Sequence, residues 1–190
     1  MKSRDDKKIK QIFSATLKLV EKIGVAGITM RLIAREAKIA TGTLYIYFKD
    51  KDELITALFE DCRKSSINIY FKGYDPKESF ATSFKKIWIN IVRHRIEHFE
   101  EAVFIEQCYH SPFIAESTKE MSLRLIQPLY KLMEIGKKEG KIKKLDTFLL
   151  LTYMIGNMTE MVRYARYSGS PLTEKRVEDI YSLCWEGMKN

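Results

Sequence analysis

The side chains best suited to contact another molecule lie in residues 29–51, TMRLIAREAKIATGTLYIYFKDK. Leu44 and Phe48 stand four apart and face inward on a short helix over 41–48, which leaves Thr41, Thr43, Tyr45 and Tyr47 on the other side. That outward set carries hydroxyls and aromatic rings but no Lys or Glu. Such chemistry suits phosphate oxygens and base edges. Arg31 lies in the first turn of the preceding helix, off its apolar stripe. Its two-donor fork could read a guanine or hold a phosphate.

A second constellation is His94-Arg95-Ile96-Glu97-His98, which fits the H-x-x-E-H spacing of zinc proteases with both imidazoles on one helical face. No second acidic ligand is evident nearby, so no metal is assigned. Cys108 and His110 are too few for a nucleophile pair, and no Gly-rich loop could cradle a phosphate. The reading is therefore of a protein that is not an enzyme and needs no cofactor. A metal-dependent enzyme using His94 and His98 is the remote alternative.

The elements that must position residues 41–48 follow from local chemistry. Thr29 can cap a helix that carries Leu32, Ile33 and Ala37 as its apolar stripe. Lys38-Ile39-Ala40 is too short for anything but a sharp turn, with Lys38 as the residue that would need positive φ. Ala40 cannot cap the next helix, which forfeits about 1 kcal/mol unless Thr41 takes over. Two short helices around such a turn describe a helix-turn-helix whose second member reads DNA.

The segment resembles the DNA-binding domain of the TetR family of bacterial regulators. The likeness is carried by Ile12, Ala15, Leu19, Gly24, Thr29, Ile33-Ala34, Ala37, Gly42-Thr43-Leu44-Tyr45, Phe48, Lys51 and Leu54, across roughly residues 9–58. Most relatives have a Gly-Val-Ser-like turn where this chain has Lys38-Ile39-Ala40. The resemblance assigns DNA contacts to Thr41, Gly42, Thr43, Tyr45 and Tyr47. Gly42 would let the helix backbone approach the duplex, and Tyr45 offers a ring and a hydroxyl. Lys51, beside backbone N–H groups that favour an anion, adds a cation, with Lys49 close by.

Charge agrees with this placement. The net charge of +8 is concentrated: residues 1–51 hold 12 Lys+Arg against 5 Asp+Glu, and the rest of the chain is nearly balanced. Three widely spaced cysteines argue against a disulfide framework and point to a reducing compartment. The N-terminus lacks the apolar stretch of a signal peptide, and the run from Phe148 to Ile155 is far short of a membrane span. The expected location is cytoplasmic.

Beyond residue 51, apolar periodicity predicts helices over about 51–71, 76–95, 97–110, 113–138, 147–167 and from 173 onward. Asp50 is the expected cap of the first of these. Asp75 and Glu78 have capping-box spacing around Pro76, Pro128 should kink the long helix, and Gly136 and Gly140 should end it. The expected architecture is all-α with about nine helices, comprising a helix-turn-helix DNA-binding domain (1–51) and a helical effector-binding and dimerisation domain (52–190). Aromatic and methionine side chains in the second part are most simply core. The resemblance also implies a pocket for a small hydrophobic effector, and Trp88, Phe99, Phe104, Gln107, Tyr130, Met133, Tyr153 and Asn157 are its candidate lining. In the family the last two helices pair with their copies in a homodimer. Leu150, Met154, Met161, Val177, Ile180, Tyr181, Cys184 and Met188 are the candidate interface. Together these features imply a transcriptional repressor released from a palindromic operator by a small apolar or amphipathic ligand. An architectural or division-linked DNA-binding factor without an effector is the alternative.

Overall fold

The computed structural model describes residues 2–109, 111 and 114–190, with the backbone alone for 2–4. His110, Pro112 and the expected helix start at 113 lie outside the described residues. Ten helices follow one another: α1 (Lys2–Gly27), α2 (Met30–Glu36), α3 (Thr41–Tyr47), α4 (Lys51–Tyr70), α5 (Phe80–Glu97), α6 (Phe99–Tyr109), α7 (Glu116–Leu125), α8 (Gln127–Lys138), α9 (Thr147–Ser168) and α10 (Glu174–Met188). Among the described residues the only extended pairing is one antiparallel bridge, Ile142 to Lys189. The all-α expectation holds.

Three local expectations change. The helix predicted over 113–138 is two helices, because Ile126 starts α8 afresh and Pro128 falls in its first turn. There a missing N–H costs nothing, so the proline opens a helix instead of kinking one. Helix α5 begins at Phe80, where Ser79 caps by accepting from the Thr82 N–H at 3.2 Å. Asp75 accepts from the Lys77 N–H at 2.9 Å, and Glu78 pairs with Lys86 at 2.7 Å, so the expected capping box does not form. Gly136 does not stop α8 but lies buried inside it, where an added Cβ would come within 2.4 Å of the Phe80 ring. Gly140, at φ 66°, turns the chain.

The chain packs as two compact units, Met1–Lys64 with Glu100–Ser122, and Ser65–Phe99 with Leu123–Asn190. In the first, Ile12, Val20, Ile28, Ile33, Leu44, Leu54, Leu58, Phe59 and Phe104 form a closed core. Helix α1 breaks at Gly24 (φ 73°, ψ 161°), a conformation open only to glycine. The Val25 N–H is caught by Gln107 Oε1 of α6 at 2.9 Å. In the second unit α5 is central, packing on α8, α9 and α10 through Phe84, Trp88, Ile91, Met133, Met154 and Met158. The Trp88 and Tyr181 rings meet edge to face at 5.3 Å.

Candidate nucleic-acid interface

Helix α2 starts as expected. Thr29 is extended, and its Oγ1 accepts from the Leu32 N–H at 3.3 Å, while Met30, Ile33 and Ala34 turn inward. The turn is tight: the Ile39 N–H reaches back to the Ala34 carbonyl at 3.0 Å. Lys38 takes φ 53°, the strain foreseen for a side-chain-bearing residue there. Ala40 precedes α3 with no side-chain cap. The short helix is anchored by Leu44, which is fully buried, and by Phe48, which ends it at the core.

The outward face of α3 differs from the expected one. Thr43 and Tyr47 are half-buried, and the Tyr47 hydroxyl donates to Asp5 Oδ1 at 3.2 Å. The exposed side is Thr41, Gly42, Tyr45 (52% exposed) and Ile46 (80% exposed). Alternate residues share a face on a strand, whereas a helix repeats every 3.6 residues, so 41, 42, 45 and 46 fall together. Ile46 is therefore a member of this face that the alternating pattern missed, and helical spacing alone could have found it. A Cβ added to Gly42 would meet nothing within 4 Å. The fold does not require glycine there, although glycine costs about 1 kcal/mol against alanine in a helix.

Cations lie on the segments that precede and follow α3. Arg31, Arg35 and Lys38 are exposed on α2 and the turn. Lys49 is exposed, its Nζ 3.9 Å from Asp50. Asp50 caps α4 as expected, accepting from the Glu53 N–H at 2.8 Å, and Glu53 accepts in turn from the Lys49 N–H at 2.7 Å. Lys51 is half-buried and its Nζ donates to the Ala26 carbonyl at 3.4 Å. Desolvation lowers its pKa, partly offset by Asp52. It thus ties the start of α4 to the end of α1.

The candidate pocket residues do not gather in one place. Phe104 and Gln107 belong to the first unit, where Phe104 is core and Gln107 holds the α1 break. Trp88 and Met133 are fully buried in the core of the second unit, with Tyr130 packed against it. Asn157 is exposed and donates to the Tyr153 carbonyl at 2.7 Å, and Tyr153 is itself 41% exposed. Phe99 lines an open cleft of about 230 Å³, with Ile96, Val162, Ala165, Arg166, Pro171 and Leu172.

The candidate interface residues are also redistributed. Leu150, Met154, Ile180, Tyr181, Cys184 and Met188 face the core of their own unit, and Val177 is packed against it. Only Met161 is exposed. The apolar surface that α9 and α10 turn to solvent is instead Phe148, Leu149, Tyr153, Met161, Tyr164, Tyr167 and Leu183. His94 and His98 stack with ring centroids 5.0 Å apart, and Tyr70 meets His94 edge-on at 5.5 Å. Among the described residues no three His, Cys, Asp or Glu side chains are grouped to hold a metal. No described helix is long and apolar enough to cross a membrane.

A helix-turn-helix with cations before and after its second helix, continued by a second all-helical unit, is the build of a DNA-binding regulator. Comparison with known proteins makes the class specific. Residues 12–58 match the model of bacterial regulatory proteins of the tetR family, and residues 80–189 match the tetracyclin repressor-like C-terminal domain. A helix-turn-helix transcriptional regulator of Haemophilus influenzae is 36% identical over 81 residues, 43% of each chain. The fatty acid metabolism regulator protein of Bacillus subtilis is 32% identical over 87 residues, 46% of this chain and 43% of that one. The chain thus matches less than half the length of these two relatives. A TetR family regulator of Marinobacter aquaeolei has the same fold across both whole chains, with a TM-score of 0.91 at 23% identity. The protein belongs to the TetR family and is a DNA-binding transcriptional regulator.

Proposed function

We propose that the protein is a homodimeric repressor that binds a palindromic operator and leaves it when a small apolar or amphipathic ligand binds. The observation that carries this reading is the exposed side of α3, which is uncharged, bears hydroxyl, ring and methyl groups, and holds an open glycine at its centre. Tyr45 and Ile46 present the groups that contact base edges and thymine methyls, with Thr41 and Gly42 lying against the duplex. Arg31, Lys49 and Lys51 serve phosphates, Thr29 fixes the start of α2, and Thr43 and Tyr47 act from the flank. The second unit supplies the dimer through the exposed apolar side of α9 and α10, which sets two reading helices one turn of DNA apart. The fatty acid regulator among the relatives supports an effector with an apolar body. The setting is the bacterial cytoplasm.

Selection of bound sequences from random double-stranded DNA tests this reading. An inverted repeat with half-sites one helical turn apart, bound by two chains, is expected; binding without sequence preference would overturn it. An effector-free DNA-binding factor is the second reading, favoured by the closed packing of Trp88 and Met133. It requires that operator affinity stay constant across apolar ligands.

A further inference from the structure

The first unit buries an arginine against a hydroxyl and an aromatic ring. Arg63, on α4, is 8% exposed. Its Nε–H donates to Ser122 Oγ of α7 at 2.7 Å, and its guanidinium carbon lies 5.9 Å from the centre of the Tyr109 ring of α6. The Ser122 and Tyr109 hydroxyls are hydrogen-bonded to each other. Among the described residues Arg63 forms no ion pair with a carboxylate.

This is an unusual resting state for a guanidinium. A guanidinium is planar, carries five donors and has no acceptor. Removing it from water is costly unless an anion faces it. Here it finds a neutral hydroxyl and an aromatic ring. Its Nε–H is engaged with Ser122, whose hydroxyl is in turn bonded to that of Tyr109. The remaining donors match the oxygens of a carboxylate or phosphate, which arginine holds with two parallel hydrogen bonds. The surroundings are greasy: Phe59 meets Tyr109 edge to face at 5.6 Å, and burial pushes the neighbouring Cys108 thiol up to about 12.

We infer that Arg63, with Ser122 and Tyr109, recognises the anionic head, carboxylate or phosphate, of an amphipathic effector. The inference rests on the ligand-released reading above and adds the ligand's charge and its point of capture. Arg63 lies on the same helix as Lys51, twelve residues on, or about 18 Å along the axis. A ligand that gathers α4, α6 and α7 at that point acts within the unit that carries α3, and coupling between ligand and DNA must run equally in both directions.

The test uses the whole chain with three probes of equal length, dodecanoate, dodecyl phosphate and dodecanol, each below its aggregation concentration. Melting temperature and operator affinity are read together. The anions are expected to raise the melting temperature and release DNA at concentrations about tenfold or more below that of dodecanol. Which anion acts at the lower concentration separates a carboxylate from a phosphate ligand. Arg63→Met should abolish the preference for anions and raise the melting temperature of the free protein, because it removes a buried charge. Arg63→Lys should keep part of the preference. Ser122→Ala, which leaves the cation in place, should weaken dodecanoate about fivefold and decides the matter where Arg63→Met folds poorly. If dodecanol matches dodecanoate and Arg63→Met changes neither, the anion site is overturned while the effector reading stands. If neither anion alters melting or DNA affinity in a protein that still binds its operator, the inference is overturned as well.

Discussion

Helices α3 and α9 both expose rings and aliphatic groups to solvent, but their surroundings differ. On α3, Tyr45 and Ile46 are set among Thr41, Gly42 and exposed cations, in the part of the chain that holds nearly all of the charge surplus. On α9 and α10, Phe148, Leu149, Tyr153, Tyr164 and Leu183 spread along two helices in a part whose charges almost cancel. The first arrangement suits a grooved polyanion that must be approached closely. The second suits another apolar surface of the same kind. Apolar exposure alone thus says little about a partner; the charge and backbone around it say more.

Four substitutions can break or sharpen this contrast. The largest effect is expected from Leu183→Glu. The side chain is 72% exposed, so the monomer should keep its fold while the dimer separates. Operator affinity should then drop about 10²- to 10⁴-fold, the loss that follows when two linked reading heads become one. Light scattering and a DNA titration read the two effects, and an intact dimer would place the interface elsewhere. Tyr45→Ala should cost about 1–3 kcal/mol of discrimination against mismatched operators without changing the oligomer. Undiminished sequence preference would remove Tyr45 from the reading face.

Gly42→Ala separates folding from binding. Space for the methyl group is open, so helix stability should rise by up to about 1 kcal/mol. Operator affinity should fall because the same methyl stands between backbone and duplex. A variant that is more stable and binds equally well would show that no DNA comes close there. The smallest effect belongs to Lys51→Ala, which should weaken all sequences alike and flatten the salt dependence by about one unit. It also removes the link to the Ala26 carbonyl. Loss at a single base position would contradict a phosphate role.

Features set by neighbouring residues were legible in the sequence. The Thr29 cap, the positive φ of Lys38, the uncapped start at Ala40 and the inward Leu44 and Phe48 all depend on chemistry within a few positions. Ile46 is just as local: helical spacing sets it beside Tyr45 on the exposed side, where strict alternation does not. Other features depended on distant partners. Gln107 looks like a polar pocket residue until its oxygen is found on the Val25 N–H, 82 positions away. Helix α9 is apolar around most of its girth, so periodicity could not say which side meets the core. The structure turns Leu150, Met154 and Met158 inward and leaves Phe148, Leu149 and Tyr153 outside. Gly136 gave no local sign that it sits against the Phe80 ring.

Photo-crosslinking tests the contrast between the two surfaces most directly. A light-activated amino acid is placed at Ile46 in one variant and at Leu149 in another, and both are irradiated with operator DNA. Ile46 should capture DNA, and Leu149 should capture a second copy of the chain. Capture of protein instead of DNA at Ile46 would contradict this.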